Sequence, residues 1–546
     1  MRFCQISVLI NDKNKRPAMP SRPSFKDTFK LYLDPRLLRI FGLGVASGFP
    51  WVMIGSAMTA WLAEEGLSRT NIGFFGFIFV AFSINFLWSP LVDRVKIPLL
   101  GSWLGQRRSW IVLMQCLVAL CCWGVATVDP SGALSVAKIF AFALALAAAT
   151  QDIALDAFRI DSLPEDDSTL MAAGSAMATS GWWTGFAGLG AIPLFLADFD
   201  GWFWSDVYQY MALVMLLLAL VPLSAAEPKT NRVESHRESE RRYLAYFQQR
   251  GEVGASRLST ALIGFLVLVC WMIVGFPGIA AEYVYSAYLM CGLVLAALTV
   301  VLLKGLWHLN ALVDSNLLAG GSNASVSRKD RMLVWVLVSF VEPLAEFFRR
   351  NEARLALSIL LFIFLFKIGE AFLGRMSIVF YKELGFSNSD IALYSKLVSW
   401  WVTIGFSLIG SAVTIHYGVL RGLFIGGFAM AASNLMFAVM AFVGPSKGLL
   451  VSAVVVDGFT TAWSTVAFVA FLSMMCNRAF TASQYALMAS VGTLGRTFLA
   501  SYSGWVVDAL DGNWALFFTI TSLMVVPSML LLYRVRHRLR QLSADF

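Results

Sequence analysis

Charge is scarce in this 546-residue chain: 14% of the residues are Asp, Glu, Lys or Arg, and 58% are hydrophobic. Mean hydropathy is +0.70. A soluble domain carries roughly 25% charge, so composition excludes an ordinary soluble fold and indicates a polytopic membrane protein. Histidine is scarcer still. His236, His308, His416 and His537 fall in loops, tails or span ends, and no H-E-x-x-H motif occurs, which argues against a membrane-embedded enzyme and gives no catalytic residue. The seven cysteines (Cys4, Cys116, Cys121, Cys122, Cys270, Cys291 and Cys476) show neither metal spacing nor an extracellular disulfide framework, so no metal and no cofactor are expected. The apolar run from Phe3 to Ile10 is too short for a signal h-region and no cleavage site follows it, so the first hydrophobic span is expected to be retained.

The net charge of +8 would suit a nucleic-acid partner, but its location says otherwise. All but Arg69, Lys138, Lys367, Arg375, Lys382, Lys396, Lys447 and Arg496 of the 42 Lys and Arg fall in the two tails or in loops on one side of the predicted spans. That is the positive-inside pattern. It predicts a multi-pass protein with both termini in the cytoplasm and no nucleic-acid partner.

Apolar runs near the roughly 20 residues a bilayer requires are predicted at 39–62, 70–91, 109–128, 136–158, 170–196 and 207–226, a first half covering 39–226 after a cytoplasmic tail, 1–38. The charged stretch 227–257 reads as a partly helical cytoplasmic linker. Two further runs, 258–276 and 282–304, form a predicted hairpin. The segment 305–354 is cytoplasmic, with an interfacial helix expected around 332–341. Spans at 355–381, 391–415, 419–442, 449–473, 481–507 and 514–533 form a second half, 355–533, before a basic tail, 534–546. The class is all-α, with fourteen transmembrane helices as six, two and six.

One stretch places charge where lipid would be, Thr150-Gln151-Asp152-Ile153-Ala154-Leu155-Asp156-Ala157-Phe158-Arg159. On a helix Asp156 lies about 40° round from Asp152, and Arg159 about 20° to its other side, so all three share one stripe. An uncompensated charge near the bilayer centre costs roughly 2.5–3.5 kcal/mol on insertion scales, which turns the stripe toward a polar cavity. Asp156 and Arg159 are also placed to form an i,i+3 pair at the cytoplasmic interface, and both readings stand at this point. Lys367, Glu370, Arg375, Lys396, Asp457 and Arg496 raise the same question in the second half. Lys367 and Glu370 are again i,i+3 neighbours, Arg375 and Lys396 lie close enough to the outer face to snorkel, and burial would favour the protonated form of Asp457. Gly181, Gly185, Gly188 and Gly190 predict close helix approach in span five.

Several segments carry a resemblance. Pro90-Leu91-Val92-Asp93-Arg94 followed by Gly105-Gln106-Arg107-Arg108 is similar to the gating loop of the major facilitator superfamily. Ala46-Ser47-Gly48-Phe49-Pro50, Phe86-Leu87-Trp88-Ser89-Pro90, the stretch from Thr150 to Asp161 with Leu163-Pro164, Phe366-Lys367-Ile368-Gly369-Glu370-Ala371-Phe372 and Cys476-Asn477-Arg478-Ala479-Phe480-Thr481-Ala482-Ser483-Gln484-Tyr485-Ala486-Leu487 through Gly495-Arg496 resemble the AmpG-type muropeptide permeases and their acetyl-CoA transporter relatives. The resemblance touches both halves and implies the major facilitator fold, with two six-helix halves rocking about a midplane site. It implies import of anhydro-muropeptides across the bacterial inner membrane, from periplasm to cytoplasm, driven by protons, for cell-wall recycling and β-lactamase induction. The chain departs from that pattern at Asn85, where the family usually carries a lysine, and at Trp183, where it carries an arginine.

The resulting expectations are specific. Asp152, Asp156, Glu370 and Asp457 are candidates for proton coupling. Gln151, Lys367, Arg375, Lys396, Arg496, Trp182 and Trp183 are candidates for solute binding, the tryptophans by stacking on sugar rings. Asp93, Arg94, Arg107, Arg108 and Arg159 are candidates for gating. The expected partners are a small muropeptide-like solute, protons and the lipid bilayer, with the protein a monomer; an acetyl-CoA-like or other organic anion is the alternative solute.

Overall fold

A segment in lipid must satisfy its own backbone hydrogen bonds, and the computed structural model is helical through nearly all the residues it describes, which are 30–65, 77–128, 133–164, 167–197, 199–230, 232–250, 334–335, 337–386, 394, 398–500 and 502–542. The tail 1–29, the predicted hairpin 258–304 and Lys396 lie outside the described residues. Nine stretches among the described residues, from Pro35–Leu62 to Trp514–Gln541, are long and apolar enough to cross a membrane.

The first half runs α1 (Pro35–Val52), α2 (Met58–Glu64), α3 (Val80–Ile84), α4 (Ser89–Arg94), α5 (Leu100–Trp103), α6 (Gln106–Ala126), α7 (Leu134–Asp161), α8 (Ser168–Trp183), α9 (Gly190–Ala197), α10 (Trp204–Leu218) and α11 (Leu220–Ser224). The linker carries α12 (Arg232–Arg250). After α13 (Glu342–Asn351), the second half runs α14 (Ala353–Phe366), α15 (Ile368–Glu383), α16 (Val398–Tyr417), α17 (Val419–Val443), α18 (Lys447–Met474), α19 (Thr481–Ala500), α20 (Ser503–Ala509), α21 (Trp514–Leu523) and α22 (Val526–Leu542). Side chains cap the helix starts where the sequence offers them. Asp167 accepts from Leu170 N, and Asn513 from Leu516 N, each satisfying a first-turn donor.

Several predicted spans are not single uninterrupted helices. The 70–91 run is described only from residue 77 and breaks at the 3-10 turn Asn85–Leu87, just before Pro90, which has no N–H to continue the ladder. The 170–196 run passes through a π turn, Thr184–Leu189, and the 481–507 run breaks after Ala500. The first span likewise carries a π turn, Met53–Ala57, and the first second-half span breaks at Lys367, between α14 and α15. All but the break after Ala500 lie beside the central cavity described below, where irregular backbone is tolerated because it faces protein or a polar space.

Small residues decide how closely α1 and α8 approach. A Cβ added at Gly48 would stand 2.0 Å from the Trp182 carbonyl oxygen, and one at Gly185 would stand 2.2 Å from that of Val45, so only hydrogen fits at this crossing. The halves then meet along two seams, α8 against α16 and α18, and α7 and α4 against α19. The described part of the segment expected at the lipid interface packs on protein. Its π turn, Leu337–Val341, rests against α4 and α12, and in α13 Phe347 is buried and Arg349 turns back to Glu342.

Candidate functional site: a cavity between the halves

Between the two seams lies a cavity of about 560 Å³, within the range that holds small-molecule ligands. The charged stripe of α7 forms part of its wall: Asp152, Asp156 and Arg159 all line it. Asp152 Oδ1 accepts a 2.7 Å hydrogen bond from Ser47 of α1. Asp156 Oδ1 pairs with Arg159 Nη2 at 3.1 Å. The i,i+3 pairing and the cavity reading therefore both hold, since the pair is itself part of the wall.

Arg159 is 2% exposed and reaches across to the other half. Nη1 donates to Ser175 of α8 at 3.2 Å and to Ser473 of α18 at 3.1 Å, while the guanidinium lies 5.4 Å from the ring centroid of Tyr485 on α19. Second-half residues complete the wall with Glu370, Arg496 and the hydroxyls of Thr403, Thr461, Thr465 and Thr493. Arg496 has no carboxylate within ion-pair distance among the described residues.

The first half supplies an aromatic wall. Trp51 stands 4.5 Å from Phe82 and 5.8 Å from Trp182 between ring centroids, and Trp182 packs edge-on to Trp183 at 5.4 Å. Trp182 and Trp183 both line the cavity, as does Asn85. Asn85 Oδ1 accepts from Ser490 of α19 at 3.3 Å, another bond between the halves.

Other residues singled out in the sequence stand behind the wall or away from it. Lys367 is 4% exposed; its ammonium donates to Glu370, to Ser464 at 2.8 Å and to Thr465 at 2.9 Å, so its three donors are spent holding the helix break. Asp457 accepts from Ser433 at 3.0 Å and is absent from the lining residues. Gln151 is fully buried, and its amide donates to the Ala46 carbonyl at 2.8 Å, tying α7 to α1. Arg375 is exposed and outside the cavity wall.

At one end of the cavity, beside the loop between α4 and α6, the halves are joined. Arg107, fully buried, donates to Asp93 at 2.8 Å and to Asp161 at 2.9 Å. Asp93 in turn accepts the backbone N–H groups of Ala482 and Ser483 at 3.2 and 2.9 Å and the Ser483 hydroxyl at 2.6 Å. A carboxylate thus sits on the N-terminus of α19, where unpaired N–H groups and the helix dipole favour negative charge. Asp161 accepts from Thr481 at 2.7 Å, and Arg478 donates to the carbonyls of Ile160 and Leu163.

The five gating candidates divide accordingly. Asp93 and Arg159 contact the other half directly, and Arg107 positions Asp93. Arg94 pairs with Glu240 of α12 and lies over Trp335, and Arg108 stays within the first half, donating to the Pro222 and Leu223 carbonyls. Glu240 belongs to a wider strap. Glu342, 1% exposed, accepts from Arg242, Arg349 and Tyr243, and burial together with the Glu342 charge holds the Tyr243 phenol in its neutral, donating form, well above its usual range.

Sequence reasoning assigned no role to Asp161, Ser47, Tyr485, Thr481, Ser483, Arg478 or Glu342. All of these but Glu342 lie inside the segments that carry the resemblance. Nothing local pairs them with partners 320 positions away, as for Asp161 and Thr481.

No protein-family model matches the chain. The protein named transporter AmpG 4 of Rickettsia conorii is 26% identical over 503 residues, covering 92% of this chain and 97% of that protein. The anhydromuropeptide permease of Escherichia coli K12 is 25% identical over 512 residues, covering 93% of this chain and 82% of the permease. Among solved structures, the proton:xylose symporter XylE of the major facilitator superfamily, bound to 6-bromo-6-deoxy-D-glucose, superposes with a TM-score of 0.56 at 14% identity, covering 92% of this chain and 96% of XylE. That likeness concerns the fold alone. Taken together with the helical halves and their central cavity, these likenesses show the major facilitator fold, and over more than nine-tenths of its length the chain is similar to proteins named as AmpG transporters and anhydromuropeptide permeases.

Proposed function

We infer that the chain imports anhydro-muropeptides, the sugar–peptide fragments released from peptidoglycan, from periplasm to cytoplasm together with protons, as a monomer in the inner membrane with both termini in the cytoplasm. The observation that carries this reading is the two-sided cavity, with an aromatic wall of Trp51, Phe82, Trp182 and Trp183 facing Arg496 and threonine hydroxyls across the space. Aromatic faces suit sugar rings, and a guanidinium without a carboxylate partner suits a solute carboxylate in a low-dielectric site. The name of the Escherichia coli relative supports the same solute class. Asn85 and Trp183 replace two cations usual in the family, and Arg159 and Arg496 are the cations left in the wall.

In this reading Asp152, Asp156 and Glu370 line the proton route, with Asp457 behind it, and the Asp93–Arg107–Asp161 cluster closes the cytoplasmic end. The residue divisions read from the sequence, two six-helix halves with a hairpin at 258–304 between them, belong to the same proposal. The deciding experiment is uptake into proteoliposomes with an imposed pH gradient, comparing an anhydro-disaccharide tripeptide with acetyl-CoA and with simple sugars. Gradient-dependent uptake of the tripeptide is expected. Uptake of acetyl-CoA in its place would assign the organic-anion alternative.

A further inference from the structure

Arg159 is the cation most deeply placed in the cavity wall, and its hydrogen bonding is incomplete. Asp156 touches it through one oxygen, on Nη2, and Nη1 is taken by the serines of α8 and α18. Nε, buried, has no partner among the described residues. A guanidinium binds a carboxylate best through two parallel N–H groups, and a buried unmet donor costs about 1–3 kcal/mol, more on a charged group. The present pair is therefore the weaker of two arrangements open to Arg159. The Asp156 side chain is 35% exposed, onto the cavity, while that of Arg159 is 3% exposed, so the acid can move away and the cation cannot.

The charged and titratable groups facing Asp156 are few. Its own helix offers Arg159 and Asp152, α19 offers Tyr485, and across the cavity stand Glu370 of α15 and Arg496 of α19. Among the described residues Arg159 alone is a cation within ion-pair distance of it.

Building on the solute class inferred above, we propose that Arg159 is a carboxylate-binding subsite at which the solute displaces Asp156, and that the displaced Asp156 carries one proton for each solute carboxylate seated. The charge balance is simple. Before binding, Arg159 and Asp156 sum to zero. After binding, the solute carboxylate, still ionised, occupies the two-point face of Arg159, and one Asp156 oxygen takes up a proton drawn from the bulk solution, leaving no hydroxide in the cavity. The sum is again zero, and the exchange leaves no uncompensated charge where such a charge is costly. Solute and proton therefore enter together, one to one at this site, and the move also draws on the bonds from Arg159 to Ser473 and Tyr485, which join the halves just above the cytoplasmic closure.

The test uses the purified full chain and two probes, the anhydro-disaccharide whose lactyl group ends in a free carboxylate and the same sugar as its carboxamide. Calorimetric titration in buffers of different ionisation enthalpy counts protons taken up on binding. About one proton per bound carboxylate form is expected near neutral pH and none for the carboxamide, from the displacement argument. Asp156→Asn should still bind the carboxylate form and take up none. Arg159→Lys keeps the charge but not the planar fork, and should weaken the carboxylate form about tenfold while leaving the carboxamide unchanged. Proton uptake persisting in Asp156→Asn, or equal uptake for both probes, overturns the proposal. Binding of neither probe removes the muropeptide reading instead, and infrared spectra of the solute-free protein then decide the exchange by themselves. Arg159→Gln should show a protonated carboxyl C=O band that the Arg159→Gln/Asp156→Asn double variant lacks, and absence of that band refutes the exchange.

Discussion

Asp93→Asn should open the end of the protein that the Asp93 cluster closes, which the basic asymmetry predicts to face the cytoplasm, without unfolding it. Asp93 is 5% exposed and makes two kinds of contact. Within its own half it pairs with Arg107, which keeps Asp161 as a second carboxylate in the variant. Across the halves it accepts two backbone N–H groups and one hydroxyl at the start of α19. Hydrogen bonds to a charged acceptor contribute about 1.5–3 kcal/mol each against 0.5–1.5 for neutral ones, and loss of the negative charge forfeits up to ~1 kcal/mol from the helix dipole. Asparagine keeps one acceptor oxygen, so the net loss across the seam is about 3 kcal/mol. That loss falls only on states in which the seam is closed, and it shifts the closed-to-open ratio on the order of 100-fold toward open.

Cys476 is a natural reporter of this equilibrium, being 4% exposed at the end of α18 beside the closure. In a chain whose other cysteines are replaced by alanine, its reaction with a membrane-impermeant maleimide supplied from the cytoplasmic side should accelerate in Asp93→Asn by a comparable factor. Unchanged labelling accompanied by a lower unfolding temperature would mean that Asp93 only packs the first half, and the inter-half role would be wrong.

Asp152→Asn should insert and fold yet lose most gradient-driven uptake, because the acid lies in the cavity wall; normal uptake with unchanged pH dependence would make it structural. Arg496→Gln should weaken binding of carboxylate-bearing solute by about tenfold, the scale of one charge-assisted bond, while Arg375→Gln, outside the wall, should leave affinity alone; equal losses in the two would refute the placement of the subsite. Gly48→Ala forces a methyl into a 2.0 Å gap against backbone and should destabilise the protein by at least the 1–3 kcal/mol typical of overpacking, about that range, read as a lower unfolding temperature in detergent; no change would show that α1 and α8 are free to separate. The basic asymmetry predicts that single cysteines placed in 534–546 label only from the cytoplasmic side, and labelling only from outside would invert the topology.

What the sequence determined by itself is what a bilayer enforces locally. The helical class followed from the length of each apolar run, and a polar cavity was expected from Asp152, Asp156 and Arg159 falling on one stripe, because the cost of charge in lipid acts on each helix separately. The close approach at Gly181 and Gly185 was legible for the same reason, since the small-residue pattern lies within one helix. The tertiary structure alone decided which charges meet. Lys367 looked like a binding residue until Ser464 and Thr465, nearly a hundred positions on, claimed its donors. Gln151 proved to hold α1, and Asp93 found its partners at Ser483, 390 positions away. Such pairings are set by how the two halves dock, and a long-range contact leaves no periodicity along the chain for local reasoning to read.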